Sequence, residues 1–114
     1  MEDWELDFEW LRVRHFIKDR LNRKELPDLN AILFLIGIQE FGRPITEKFT
    51  KEEKQDLMHI ASCRLLSQDG YYSFEGLDQD GWPHYEKIAG TPRLEGDMQN
   101  ILLKTMIIQY FEKL

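Results

Sequence analysis

The residues best suited to chemistry fall in one stretch, Asp69 to Glu86, "DGYYSFEGLDQDGWPHYE". Its eighteen residues hold five acids, the histidine His84 and five of the chain's fourteen aromatics, with no Lys or Arg. Three kinds of chemistry could use such a set. Neighbouring carboxylates can divide acid and base roles when their surroundings split their pKa values. Asp and Glu oxygens can ligate calcium or magnesium. Rigid aromatic area with polar tips, ringed by acids, can recognise a basic or amine-bearing partner.

Spacing tests the calcium reading. With Gly81 set at the glycine of an EF-hand loop, Asp78 and Asp80 take two ligand positions, but Gly76 and Lys87 stand where the first and last carboxylates are required. An EF-hand is excluded. An irregular divalent-metal site using Glu75, Asp78, Asp80 and His84, serving a small hydrolase or ligand-binding protein, stays as the alternative function. His59 and Cys63, four apart, could share a helix face, but a closed zinc site takes four ligands, and His15 and His84 stand in unrelated contexts. A Cys63 nucleophile would need a nearby base and a lowered pKa, and the sequence shows neither. There is no phosphate loop, dinucleotide fingerprint, HExxH or GxSxG. Nothing therefore requires an enzyme, no catalytic residue or metal ligand is assigned, and no cofactor is expected.

What remains for this stretch is recognition, by Tyr71, Tyr72, Asp78, Asp80, Trp82, His84 and Tyr85. The competing reading, of equal weight, makes Tyr72, Phe74 and Trp82 a satellite core beneath a long loop. Within the stretch, Tyr71 to Glu75 alternates as a strand would, and Tyr85 to Ile88 could pair with it across a connection from Gly76 to His84.

The elements that must hold this corner are helical. Leu6, Trp10, Val13, Ile17 and Leu21 repeat at helical spacing, which predicts a helix from about Asp3 to Asn22, with Trp4, Phe8 and Leu11 widening its apolar face. The alternation of Trp4, Leu6, Phe8 and Trp10 leaves a short strand as the alternative. A second helix is expected from about Asp28, a candidate cap, to Phe41, with Gly42 as its stop. Its run "AILFLIGI" is apolar nearly all round, and Gly37 within it predicts a close helix crossing. Thr50 three residues before Glu53 is a capping box and opens a third helix, Lys51 to Ser67, with Gly70 as terminator. Gly90, Pro92 and Gly96 set turns before a last helix from about Asp97 to Lys113. That helix is apolar on more than one face, which predicts a partner or second copy covering Met106, Ile107, Tyr110 and Phe111. The fold class expected is mainly α: one four-helix domain, 1–114, a helical bundle with a small β-hairpin or extended element between helices 3 and 4.

Composition narrows the function classes. With 114 residues, 42% hydrophobic and 32% charged, the chain has the make-up of a single globular domain. Cys63 is the only cysteine, and no basic segment followed by an apolar run opens the sequence, so a reducing compartment, the cytoplasm, is expected. The longest apolar run has eight residues, far short of a membrane span. A net charge of −6 disfavours nucleic acid as the main partner. Arg12, Arg14, Lys18, Arg20, Arg23 and Lys24 do cluster, which keeps RNA association as a second alternative; the simpler reading is a helix with acids first and bases last, complementing its dipole.

"LPDLNAILFLIGIQEFG" and "LLSQDGYYSFEGLDQDGWPHYE" together resemble a family of small uncharacterised cytoplasmic proteins of Bacteroidota-type bacteria. The likeness covers most of the chain but rests on no established catalytic motif, so it implies no activity, substrate or functional residue. The function expected is a non-enzymatic protein-interaction module, a homodimer or a small subunit of a larger cytoplasmic assembly.

Overall fold

The computed structural model describes residues 3–41, 49–88 and 96–113. Four helices and one hairpin occur in the order α1 (Asp3–Arg20), α2 (Leu29–Phe41), α3 (Lys51–Ser67), β1 (Tyr72–Leu77), β2 (Pro83–Lys87) and α4 (Asp97–Glu112). The protein is mainly α, as the periodicity predicts. The chain divides into two compact units, one built on α1 and α4, the other on α2, α3 and the hairpin. Gly42, Gly90 and Pro92, expected to stop or turn the chain, lie outside the described residues.

In the first unit α1 packs on α4. Phe16 meets Phe111 edge-on at 6.2 Å, and Lys104 lies 5.6 Å above the Trp10 ring, so the two helices run in the same direction. The residues 4–10 are helical, not a strand. α1 ends two residues before the expected Asn22, and the reason is local. Asn22 adopts a left-handed conformation (φ 54°), its amide bonds to the Asp19 carbonyl, and the Arg23 amide reaches back to Lys18. These are the paired bonds of a Schellman stop with Asn in place of the usual Gly. Arg14 then donates to the carbonyl of buried Pro27 at 2.8 Å, holding the returning chain against α1.

Two sequence expectations about apolar faces are corrected here. Trp10, Val13 and Ile17 are buried, but Trp4 and Phe8 are 70% and 61% exposed and Leu11 is exposed too. At about 100° per residue, Trp4, Phe8 and Leu11 cluster roughly 160° from the buried row, so they form a second face and do not widen the first. On α4, Met106, Ile107 and Tyr110 are buried within the chain, so they are not exposed for a partner to cover, and Phe111 is half-buried. The exposed large apolar residues of α4 are Met98 and Ile101.

In the second unit α2 crosses α3 at Gly37. A Cβ built on Gly37 would collide with the Leu57 carbonyl oxygen and lie 2.6 Å from its carbon. Only glycine lets the two backbones approach so closely. α3 begins at its capping box: the Glu53 amide donates to Thr50 Oγ1 at 3.1 Å and the Thr50 amide to Glu53 Oε1 at 2.9 Å. Leu57, Ile60, Ala61, Cys63 and Leu65 are its buried stripe. Gly70, at φ 80°, permits the turn into the hairpin, which packs on α3.

Candidate functional site

The hairpin is longer and its connection shorter than the alternation predicts. β1 and β2 pair antiparallel, with Phe74 opposite Tyr85, Gly76 opposite His84 and Leu77 opposite Pro83, leaving Glu75 as an extra residue. This bulge has a steric consequence. Phe74 and Leu77 stand three apart and would face opposite ways in a regular strand; the inserted residue returns both to the face that carries Pro83 and Tyr85. Gly76, at φ 113°, supplies the backbone conformation the bulge needs. The outcome is an apolar face on which Phe74 and Leu77 remain 56% and 64% exposed.

Asp78 organises the turn. Its Oδ1 accepts the backbone amides of Asp80 and Trp82, both at 2.9 Å, and its Oδ2 lies 2.9 Å from His84 Nε2. The Asp78 amide donates to the Trp82 carbonyl at 3.0 Å and the Gly81 amide to the Asp78 carbonyl at 3.1 Å. These contacts, the His84 bond first and the Trp82 amide next, hold the Asp78 carboxyl below its ordinary pKa. The side chain that suggested a calcium ligand is thus committed to folding its own loop. Trp82 is fixed from outside the hairpin, its ring stacked on Phe41 of α2 at 4.2 Å and 22°.

Two clefts flank this hairpin. The larger, about 340 Å³, lies between it and α3. From α3 come Asp56, His59, Ile60 and Cys63, whose spacing puts them on one helix face; from the hairpin come Asp78, Trp82, Pro83, His84 and Tyr85. Ile60, Cys63 and Pro83 are buried and form its apolar base, with the acids and histidines exposed around it. The second cleft, about 300 Å³, is bounded by Phe74, Leu77, Pro83 and Tyr85 and by Glu40, Arg64 and Ser67. Arg64 Nε and Glu40 Oε1 stand 3.3 Å apart there. Tyr85 and Pro83 border both clefts.

The larger cleft has little nucleophilic capacity. Cys63 Sγ lies 3.6 Å from His59 Nε2, the pair a thiol nucleophile requires, but burial pushes the thiol up to about 11, so it stays protonated near neutrality. Burial, followed by the Glu40 charge, also raises the Tyr85 phenol, leaving it a neutral hydrogen-bonding group. His59 with Cys63 and His84 with Asp78 remain two separate pairs. Among the described residues no group of three or more His, Cys, Asp or Glu side chains converges to hold a metal ion.

Of the sequence-predicted binding residues, Asp78, Trp82, His84 and Tyr85 line the larger cleft. Tyr71 and Tyr72 are half-buried at the hairpin's base, where burial and then the neighbouring Cys63 raise the Tyr72 phenol. Asp80 is exposed on the turn. Sequence reasoning missed Asp56, and it weighed His59 and Cys63 only as zinc ligands or a nucleophile. The shared face of positions 56, 59, 60 and 63 was a signal for them; Phe41, beneath Trp82, had none. Three of the six bases proposed for RNA have partners within the chain: Arg12 bonds Glu9 at 2.6 Å and Arg20 lies 5.7 Å above Phe16, both within α1, and Arg14 donates to the Pro27 carbonyl beyond it. No described helix is long and apolar enough to cross a membrane. No family model, characterised protein or solved structure matches the chain.

Proposed function

We propose that this protein is a non-enzymatic interaction module, a homodimer or a small subunit of a larger cytoplasmic assembly, which docks through the outward apolar row of α1. The observation that carries this reading is the second apolar face formed by Trp4, Phe8 and Leu11, opposite the row that α1 already buries. Scattered surface hydrophobes are ordinary, but three large ones at helical spacing offer the anchors of a helix-in-groove contact or of self-association. The raised thiol of Cys63 and the commitment of Asp78 to its turn support the non-enzymatic part.

The test pairs Trp4→Glu with Phe8→Glu in the full chain and compares it with wild type by size exclusion with light scattering, with mass spectrometry of what co-elutes from the native source. Wild type is expected to elute as a dimer or hetero-complex and the double variant as a folded monomer. A wild type that stays monomeric with nothing co-eluting, or a double variant that keeps the wild-type assembly, would overturn the reading.

A further inference from the structure

We infer that the cleft between α3 and the hairpin turn binds an organic cation, a guanidinium or ammonium group, seated against the Trp82 ring between the carboxylates of Asp56 and Asp78. Among the described residues the lining holds two carboxylates, two histidines and no Lys or Arg, and one histidine, His84, already lies 2.9 Å from Asp78. The nearest guanidinium on the same helix, Arg64, borders the other cleft beside Glu40. The two acids also differ in use. Asp78 is held by its turn and by His84, both oxygens already engaged, so its carboxylate supplies fixed negative charge beside the cleft and not a free acceptor. Asp56, exposed on α3, makes no hydrogen bond or ion pair among the described residues, so its oxygens can accept a ligand's N–H groups.

The aromatic wall completes the fit. Stacking on Phe41 takes one side of the indole and fixes the ring, which still lines the cleft together with Tyr85. A preorganised aromatic surface beside carboxylates is the arrangement that attracts a planar or compact organic cation. A cleft of about 340 Å³ is at the small end of ligand pockets, enough for a side-chain-sized group. Two sources share this chemistry, a free small cation and an Arg or Lys side chain presented by a peptide. The inference stands apart from the α1 docking row, which belongs to the other compact unit.

The test is an NMR titration of the isotopically labelled full chain with ethylguanidinium, ethylammonium, the neutral isostere ethylurea, and capped Gly-Arg-Gly and Gly-citrulline-Gly peptides, at constant ionic strength. Saturable shifts at the Trp82 indole N–H and the Asp80 and Trp82 amides are expected with the cations and the Arg peptide, and not with ethylurea or the citrulline peptide. Asp56→Asn should weaken binding by about tenfold or more, the value of one charge-assisted hydrogen bond. Ethylguanidinium binding as tightly as the Arg peptide identifies a free cation as the source; binding of the peptide alone identifies a chain-borne side chain. No saturable shift with any cation, equal shifts with ethylurea, or an Asp56→Asn variant that binds like wild type would overturn the inference. Failure here is separable from failure of the docking proposal: Asp56→Asn should leave assembly size unchanged, and the Trp4/Phe8 double variant should leave this titration unchanged.

Discussion

Gly37→Ala separates the packing account from intrinsic helix preference, because the two give opposite signs. In an isolated helix the change is favourable by about 1 kcal/mol. At this crossing the new Cβ would meet the backbone of Leu57, with the carbonyl carbon 2.6 Å away and the Leu57 Cβ 2.9 Å away. No rotamer change moves a carbonyl. Restoring a van der Waals separation of about 3.5 Å requires the helices to part by roughly 1 Å, in a core where Ile36 and Leu57 are buried. Overpacking of this kind costs about 1–3 kcal/mol, and the upper end applies because the obstruction is backbone. Subtracting the propensity gain leaves a net loss of about 2 kcal/mol, a fall in Tm of roughly 8 °C for a chain of this size. Urea unfolding followed by circular dichroism measures the first quantity and a thermal melt the second. The perturbation should also reach the larger cleft, since Phe41 lies one turn beyond Gly37 and stacks on Trp82; the Trp82 indole resonance should shift. A Gly37→Ala protein as stable as wild type, with that resonance unmoved, would refute the close crossing and the support it gives the hairpin.

The other predictions concern single contacts. Thr50→Ala removes the acceptor for the Glu53 amide and should cost about 1 kcal/mol in urea unfolding, with Thr50→Ser recovering most of it. Asp78→Ala should lower amide protection at Asp80 and Trp82 at neutral pH, measured by hydrogen exchange, and the difference from wild type should shrink in acid. In wild type the same protection should persist at neutral pH and fall as the solution is acidified below about pH 4: the folded Asp78 carboxyl lies below its unfolded value, so its contribution is present above the unfolded pKa and is lost as pH drops through the folded one. Cys63, raised from 9.0 to about 11, carries about a hundredth of the ordinary thiolate fraction at pH 8. Because a more basic thiolate is also more nucleophilic, its reaction with a disulfide reagent should be slower by about tenfold or more in folded protein than in urea, and comparable rates would contradict its burial.

The helices were readable because each carries its own local signals. Thr50 and Glu53 open α3 at the expected residue, and Gly37 marks the crossing that its missing side chain permits. The misreadings share a cause: they concern which way a face points once an element is placed. Period places Trp4, Phe8 and Leu11 on one side of α1 and Trp10, Val13 and Ile17 on the other, but it cannot show which of the two rows is buried. The burial of Met106, Ile107 and Tyr110 was equally invisible, since it depends on what packs on α4. β1 ran past the expected Glu75 because its alternation breaks there. That break is the bulge, and an inserted residue reads as the end of a strand until the partner strand continues beyond it.

The same bulge explains why the acidic aromatic stretch could not be sorted into core or site from its composition. Both descriptions apply to different rings. Pro83 is buried, and Trp82, stacked on Phe41 and tied through its amide to Asp78, closes the turn. These contacts satisfy the turn's polar groups and bury part of its apolar area, as a satellite core must. Phe74 and Leu77 are carried round by Glu75 to one face and stay exposed. Removing the extra residue by deleting Glu75 would turn either Phe74 or the Leu77 end of β1 to the opposite face. The cleft that both residues border should then lose one apolar wall, while the Asp78 turn, whose bonds span only residues 78–84, should persist. Hydrogen-exchange protection at Trp82 retained in that deletion, with Phe74–Tyr85 contacts altered in NMR spectra, is the expected result; loss of both together would show that turn and strand form one cooperative element.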